Sequence, residues 1–204
     1  MLGRRDEQKL RTRGLVLAAA RKLFADPGYD ATTIRMIAME AGVATGSVFT
    51  TFASKQDVLF AITGEVFEEI SDRLTQRLRQ THGSTRERLK LFYAEAFAAM
   101  HERMALIMVH FGLSWRWDRD FEAAPHNPIG KIFAIALDVL KDGVRAGDIH
   151  CDTDLGVLAD VLVDIYVRNL RSAWRRRLEP AMAAQLSERQ IDLVFDGACN
   201  PKRA

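Results

Sequence analysis

Cysteine is scarce in this sequence, and the two that occur, Cys151 and Cys199, lie far apart and form no Cys-X-X-Cys pair. This spacing excludes a disulfide framework and a zinc ribbon, so we expect two inert thiols. His150 and Asp152 flank Cys151, but adjacent residues without further spaced ligands are only a weak metal signal. We therefore expect no bound metal.

Long apolar runs are missing as well. The longest candidate, 105–113, is interrupted by His110 and is too short for a membrane span, which needs roughly 18 residues. No apolar signal-peptide core follows the charged N-terminus. The sequence predicts a chain that makes no membrane contact and stays in the cytoplasm.

Motifs of catalysis and cofactor binding are also absent. We find no GxGxxG, GxSxG, P-loop or HExxH pattern. The expectation is therefore a protein that is not an enzyme and holds no cofactor. An enzyme remains the main alternative class, and a purely structural helical protein is the other.

Proline is scarce too, with five in 204 residues, and no convincing run alternates between apolar and polar residues as a strand does. Apolar positions instead recur at helical spacing almost throughout, which predicts an all-α chain of about nine helices. Glycine and proline clusters mark the breaks between them, and 117–128 is predicted to be a loop. The predicted helices are 10–25, 34–41, 45–51, 55–80, 85–100, 102–115, 129–146, 154–177 and 181–196.

Charge is unevenly distributed although the net charge is only +2. Residues 1–55 hold nine Lys and Arg against five acids, whereas the rest of the chain holds 20 against 22. A basic N-terminal part on a slightly acidic body suits a partner that carries phosphates. A solvated basic surface would show the same pattern.

Residues 33–52 predict a helix, a tight turn and a second short helix, which is the helix-turn-helix arrangement. The first helix has one apolar stripe at Ile34, Ile37, Ala38 and Ala41 that can brace the second. Gly42 supplies the left-handed conformation that the turn needs. The second helix begins with small and polar residues, which a helix presents to the DNA major groove.

The segment from Phe24 to Lys55 also carries a more specific pattern. In order and spacing it resembles the N-terminal domain of the TetR family of bacterial repressors, over about 45 residues. The family commonly has Ser at the position of Ala44, Tyr at that of the aromatic Phe49, and an aromatic residue or His at that of Thr51. The matching residues are Phe24, Gly28-Tyr29, Thr32-Thr33-Ile34, Ile37-Ala38, Ala41-Gly42-Val43, Gly46, Phe49, Phe52 and Ser54-Lys55.

The resemblance implies a three-helix DNA-binding domain at 1–55, joined by a long helix to a ligand-binding and dimerisation body at 56–204. It implies a transcriptional repressor that binds a palindromic double-stranded DNA operator as a homodimer and is released by a small, mainly apolar effector. The alternative for the body is a regulator that works without an effector or under the control of a protein partner.

Roles in DNA binding follow from the match and from side-chain chemistry. Lys55, at the start of the fourth helix, is expected to hold a phosphate together with nearby backbone N–H groups, and Thr33 to do the same. Phe49 is expected to pack on a thymine methyl or a sugar, with a core aromatic as the alternative. The full expected set is Thr33, Arg35, Thr45, Gly46, Ser47, Phe49, Thr51 and Lys55. An N-terminal basic arm adds sequence-independent affinity or, alternatively, is a disordered tail: Arg4, Arg5, Lys9, Arg11 and Arg13.

The helix predicted at 154–177 is apolar nearly all round, which indicates that one face packs on the body and another on a partner. A central core helix in a monomer is the alternative. The resemblance implies a four-helix dimer interface with 181–196, through Leu158, Leu162, Ile165, Trp174, Ile191 and Phe195. A basic run at 171–177 is read as a solvated helix end rather than a second nucleic-acid site.

The middle helices are rich in aromatic and methionine side chains, which suits either an ordinary core or the wall of a cavity for an apolar, partly aromatic ligand. His101 and His110 interrupt this apolar stripe. The candidate pocket residues are Phe97, His101, Met104, Met108, Phe111, Trp115 and Tyr166.

Overall fold

A computed structural model describes residues 3–114 and 128–197, and within them the regular structure is nine α-helices and a short π-helix at Phe24–Gly28, without a strand. The all-α prediction is therefore confirmed. The nine α-helices of the described residues are α1 (Arg4–Leu23), α2 (Ile34–Glu40), α3 (Thr45–Phe49), α4 (Lys55–Arg79), α5 (Thr85–His101), α6 (Met104–Ser114), α7 (Pro128–Ala146), α8 (Leu155–Arg176) and α9 (Pro180–Asp196).

Most boundaries fall within two residues of the prediction, but α1 begins at Arg4 rather than Leu10. Asp6 and Glu7 in its first turn and Arg21 and Lys22 in its last complement the helix dipole, a signal that apolar periodicity does not register. The predicted loop at 117–128 lies outside the described residues except for Pro128, which opens α7.

Polar caps position several helix starts. Thr33 accepts a hydrogen bond from the backbone N–H of Met36 at 3.2 Å. Ser84 and Glu87 form a reciprocal capping box at the start of α5. Asp154 accepts from the backbone N–H groups of two residues in the first turn of α8. Each bond satisfies a backbone donor that the helix itself leaves unpaired.

The described chain forms two compact units. The first comprises residues up to Val66 together with 105–114, and the second comprises 67–104 and 128–197. Helix α4 is divided between them, and α6 belongs almost wholly to the first unit. The functional boundary predicted at residue 55 thus does not coincide with the division into compact units.

The first unit has a core built from α1 to α4 and α6. Its fully buried members include Val16, Ile37, Val48 and Leu59, and Leu106, Val109 and Leu113 of α6 pack against it. In the second unit α9 packs against α5 and α8, and α7 packs against α5 and α8. None of the described helices is long and apolar enough to cross a membrane.

Candidate nucleic-acid interface

Helices α2 and α3 are joined by the tight turn that the sequence predicted. Gly42 adopts φ +65°, a left-handed conformation that favours glycine. The backbone N–H of Val43 donates to the carbonyl of Ala38 at 3.0 Å, which closes the end of α2. On the inner side, Ile37 and Val48 have no exposed surface, so α2 braces α3 as expected.

The outward face of α3 carries small groups and one large apolar group. Phe49 is 54% exposed, although its neighbour Val48 is completely buried. The core-aromatic alternative for Phe49 is therefore wrong. Gly46 is also exposed, and a Cβ built there would meet no atom within 4 Å. The fold itself does not need glycine at this position, and close approach of Gly46 to DNA stays a prediction.

Lys55 lies in a different environment from the one predicted. Its ammonium donates to the backbone carbonyls of Tyr29 at 2.7 Å and Thr32 at 2.9 Å, with a third carbonyl, that of Asp30, at 3.5 Å. It also lies 4.2 Å from the centroid of the Tyr29 ring. The side chain thus ties the start of α4 to the segment before α2, and direct phosphate binding by its ammonium stays a prediction.

Two ion pairs connect α1 with other helices of the first unit. Lys22 of α1 and Glu40 of α2 are 2.6 Å apart, and this hydrogen bond raises the pKa of Lys22. Arg21 pairs with Glu65 of α4. Both pairs are exposed, so they contribute little to stability and serve mainly to orient the helices.

The remaining predicted DNA contacts differ in their accessibility. Arg35 and Thr33 are exposed, and Thr45 and Ser47 are half-buried. The hydroxyl oxygen of Thr51 is buried and has no hydrogen-bond partner in the described part of the chain. It does not face solvent, so we leave Thr51 out of the DNA-facing set.

The N-terminal basic segment is helical from Arg4 onwards, which contradicts the alternative of a disordered tail. The guanidinium of Arg13 lies 5.0 Å from the centroid of the Phe52 ring. Arg13 therefore packs on its own domain, whereas Lys9 and Arg11 are exposed and open to a partner.

Comparison with known proteins agrees with this geometry. Residues 16–62 match the model of bacterial regulatory proteins of the tetR family. These residues thus form a DNA-binding domain of the TetR type. The protein is accordingly a DNA-binding transcriptional regulator.

Relatives match over nearly the whole chain. The HTH-type transcriptional repressor KstR2 of Mycolicibacterium smegmatis is 26% identical over 186 residues, covering 89% of this chain and 88% of its own. The solved structure of Thermus thermophilus FadR in complex with lauroyl-CoA aligns with a TM-score of 0.75 at 20% identity, covering 92% and 95% of the two chains. That of Bacillus subtilis FadR with stearoyl-CoA aligns at 0.73 and 18%, covering 91% and 98%. At sequence identities this low, the structural alignments show that the fold is shared and nothing more.

Helices α8 and α9 carry exposed large apolar side chains, which together we call the α8/α9 face. Its large apolar members are Val157, Val161, Trp174, Met182 and Leu193, each at least 42% exposed. Sequence reasoning named only Trp174 among them. It chose Leu162 and Ile191, which have no exposed surface in their own chain and so cannot reach a partner. Leu158, Ile165 and Phe195 are half-buried.

The predicted pocket residues do not form one group in the structure. Phe97 and Tyr166 pack together in the second unit with ring centroids 4.9 Å apart, and both are almost completely buried. In the same unit Met104 is buried and His101 is exposed. Met108 and Phe111 belong to the first unit, and Trp115 lies outside the described residues.

Buried hydroxyl groups in this aromatic cluster are satisfied internally. Tyr93 donates to the carbonyl of Leu162, and Tyr166 donates to the sulfur of Met100 at 2.9 Å. Burial raises the pKa of both tyrosines, so they stay neutral. These contacts are those of a packed core, and the ligand-pocket prediction remains open.

The loop between α7 and α8 brings the donor atoms of His150, Cys151 and Asp152 within 4.8 Å of one another. All three side chains are exposed and consecutive in sequence, and exposed groups of this kind commonly occur without an ion. We assign no metal to this loop.

Proposed function

We propose that this protein is a TetR-type repressor that binds a palindromic operator as a dimer and is released by a small ligand with a large apolar part. The observation that carries the proposal is the outward face of α3. A 54% exposed phenylalanine beside Gly46 and Ser47 is costly in water, and it suits a major groove lined by thymine methyl groups.

The α8/α9 face supports the dimer. Five large apolar side chains exposed on two adjacent helices form the kind of surface that usually marks a protein interface. A two-fold dimer would also present two α3 helices to successive major grooves, which lie roughly 34–36 Å apart on one side of the duplex.

For the ligand class we propose an acyl thioester of coenzyme A. The FadR structures named above contain lauroyl-CoA and stearoyl-CoA, and the body of this chain buries many aromatic and methionine side chains. Release requires that the ligand bind better to the form with low DNA affinity, and couplings of about 1–3 kcal/mol are usual.

Selection of random DNA by the purified protein, followed by sequencing, tests the DNA-binding part. We expect an enriched sequence with two-fold symmetry. Phe49→Ala should weaken binding to that sequence by roughly tenfold, and Ser47→Ala should change the base preference more than the affinity. Leu15→Ala removes an exposed apolar side chain of α1 and is the matched control, with no expected effect.

A gel shift on the selected DNA tests the ligand. Lauroyl-CoA should lower the DNA affinity, whereas laurate and CoA separately should act weakly. If no acyl-CoA changes DNA affinity over a range of chain lengths, the ligand class is wrong, and control by a protein partner or the absence of an effector becomes the better explanation.

A further inference from the structure

A cleft in the second unit lies where the end of α4, the first turns of α5 and the second half of α7 meet. Its volume is about 350 Å³, within the range of small-molecule sites, roughly 300–1,000 Å³. Part of its wall is apolar, from Leu78, Ile135 and Val139, and the rest is strongly charged. The charged residues that line it are Arg79, Arg88, Arg145, Asp138 and Asp142.

The carboxylates of the cleft do not balance its guanidinium groups. Asp142 alone serves two arginines, since Arg88 reaches it through Nη1 and Nη2 at 3.1 Å each and Arg145 binds its other oxygen at 2.5 Å. Asp138 already has a partner outside the cleft, Lys141, at 3.4 Å. Among the described residues Arg79 has no ion pair.

Arg88 adds a second sign of an incomplete site. Its side chain is only 18% exposed, and its Nε is buried without a hydrogen-bond partner in the described part of the chain. A buried donor on a charged group is costly when it is left unpaired. A small shift of the Arg88 side chain towards the cleft would let an oxygen atom of a bound anion accept from Nε while the two Nη atoms keep Asp142.

We propose that this cleft binds the phosphate groups of a small ligand, with Arg79 and Arg88 as the residues that contact them. Guanidinium groups match phosphate oxygens in pairs of parallel hydrogen bonds, and a surplus of positive charge in a partly enclosed cleft favours a multiply charged anion over a single carboxylate. Because the cleft is assigned to the anionic part of the acyl-CoA ligand proposed above, it rests on that proposal for the source of the phosphates.

Isothermal titration with CoA, ADP and the phosphate-free pantetheine measures whether the cleft recognises phosphate. We expect CoA and ADP to bind and pantetheine not to bind. Arg79→Gln should weaken CoA binding by roughly tenfold, since hydrogen bonds to charged groups are worth that much. Arg103→Gln is the matched control, because it removes an equal charge from the same unit where Glu69 is its partner.

A variant that binds CoA more tightly distinguishes a binding role of the cleft arginines from a structural role. Asp138→Asn removes a negative charge from the wall of the cleft and should tighten CoA binding roughly threefold, the range expected for one partly exposed charge. If Arg79 only caps a solvated helix end, both variants should bind CoA with the affinity of the native protein. Unchanged CoA binding in Arg79→Gln and Asp138→Asn, or equal binding of pantetheine and CoA, overturns the assignment.

The gel shift with lauroyl-CoA keeps the two proposals apart. If lauroyl-CoA releases DNA equally well from the native protein and Arg79→Gln, the ligand class stands and the cleft assignment falls. If CoA or ADP binds through Arg79 but lauroyl-CoA does not release DNA, the cleft assignment stands and the proposed effector falls. DNA release by ADP would identify a free nucleotide as the source of the phosphates.

Discussion

The hydroxyl oxygen of Thr63 on α4 and Nδ1 of His110 on α6 lie 2.6 Å apart inside the first unit. Both residues are almost completely buried, and the His110 ring packs against Phe60 with centroids 4.7 Å apart. A polar pair in an apolar interior fixes the register of two helices, because a shift would leave buried polar atoms without partners.

This pair predicts a pH dependence of stability. Burial lowers the pKa of His110 to about 4, below its value near 6.5 in the unfolded chain. The unfolded state therefore binds more protons, and stability is lost as the pH falls from about 6.5 towards 4. Urea unfolding of the native protein and His110→Phe at pH 7 and pH 4.5 measures the effect. We expect a loss specific to the native protein on the order of 2–3 kcal/mol.

Carboxylates titrate over part of the same range. Hydrogen bonds from Ser84 lower the pKa of Glu87, and those from Thr85 lower that of Asp148. Their contribution is present in both proteins, so the difference between native and variant isolates His110. An equal pH dependence in the two proteins would contradict the prediction.

Lys55→Ala separates the two roles of this lysine. Because the ammonium binds backbone carbonyls before α2, we expect a lower free energy of unfolding and weaker DNA binding, and a purely structural role would leave the salt dependence unchanged. A direct phosphate contact would instead reduce the slope of log K against log salt concentration by about 0.9. Fluorescence anisotropy with labelled DNA at several salt concentrations decides between them, with the exposed Lys9→Ala as the comparison.

Thr85 and Asp148 tie the start of α5 to the turn after α7. The Asp148 carboxylate accepts from the backbone N–H of Thr85 at 2.6 Å and from its hydroxyl at 2.9 Å. We expect Asp148→Asn to lower the Tm, whereas Asp152→Asn, an exposed acid a few residues further on, should not. Circular dichroism on heating checks both, and equal Tm values would show that the contact adds nothing.

Gly143 packs directly on Thr85, so that a Cβ there would collide with both branches of the threonine side chain. Gly143→Ala should therefore destabilise the protein by about 1–3 kcal/mol, although alanine is the better helix former. A second change, Thr85→Ser, removes one of the two colliding groups and should recover part of this loss in chemical denaturation. A Gly143→Ala protein as stable as the native one would refute the packing argument.

The α8/α9 face predicts the effect of an added charge. Val161→Asp and Leu193→Asp should convert a dimer into a folded monomer, because an unpaired carboxylate would be buried in the interface. Light scattering after size-exclusion chromatography gives the mass, and circular dichroism verifies the fold. Leu10→Asp alters an exposed leucine of α1 and should leave the mass unchanged. A monomeric mass for the native protein would contradict the proposed interface.

Helix positions followed closely from the sequence because their signals are local. Gly42 acts within one turn of the chain, and the structure confirms it as the turn residue. The caps at Thr33 and Ser84 are equally local. The outward orientation of Phe49 was left open because periodicity in a five-residue helix cannot distinguish its two faces. Only the folded unit shows that Val48 is buried and Phe49 is exposed.

Contacts between distant segments could not be read from the sequence. The apolar pattern of α8 favours Leu162 as an interface residue, although Leu162 is buried and Val157 is exposed. A helix that is apolar nearly all round does not show which of its sides the rest of the same chain covers. The arginine cleft joins residues from three helices, and Lys55 binds carbonyls more than twenty positions earlier in the chain. Such pairings depend on how the helices pack.

The membership of α6 in the first unit has a consequence for biosynthesis. Leu106, Val109 and Leu113 pack against a core whose buried members all precede residue 63 in the sequence. About forty residues of the second unit are synthesised between these two parts of the first unit. During translation the helix-turn-helix therefore emerges long before the last side chains that cover its core. Part of the apolar surface of the nascent DNA-binding unit stays uncovered until α6 has left the ribosome.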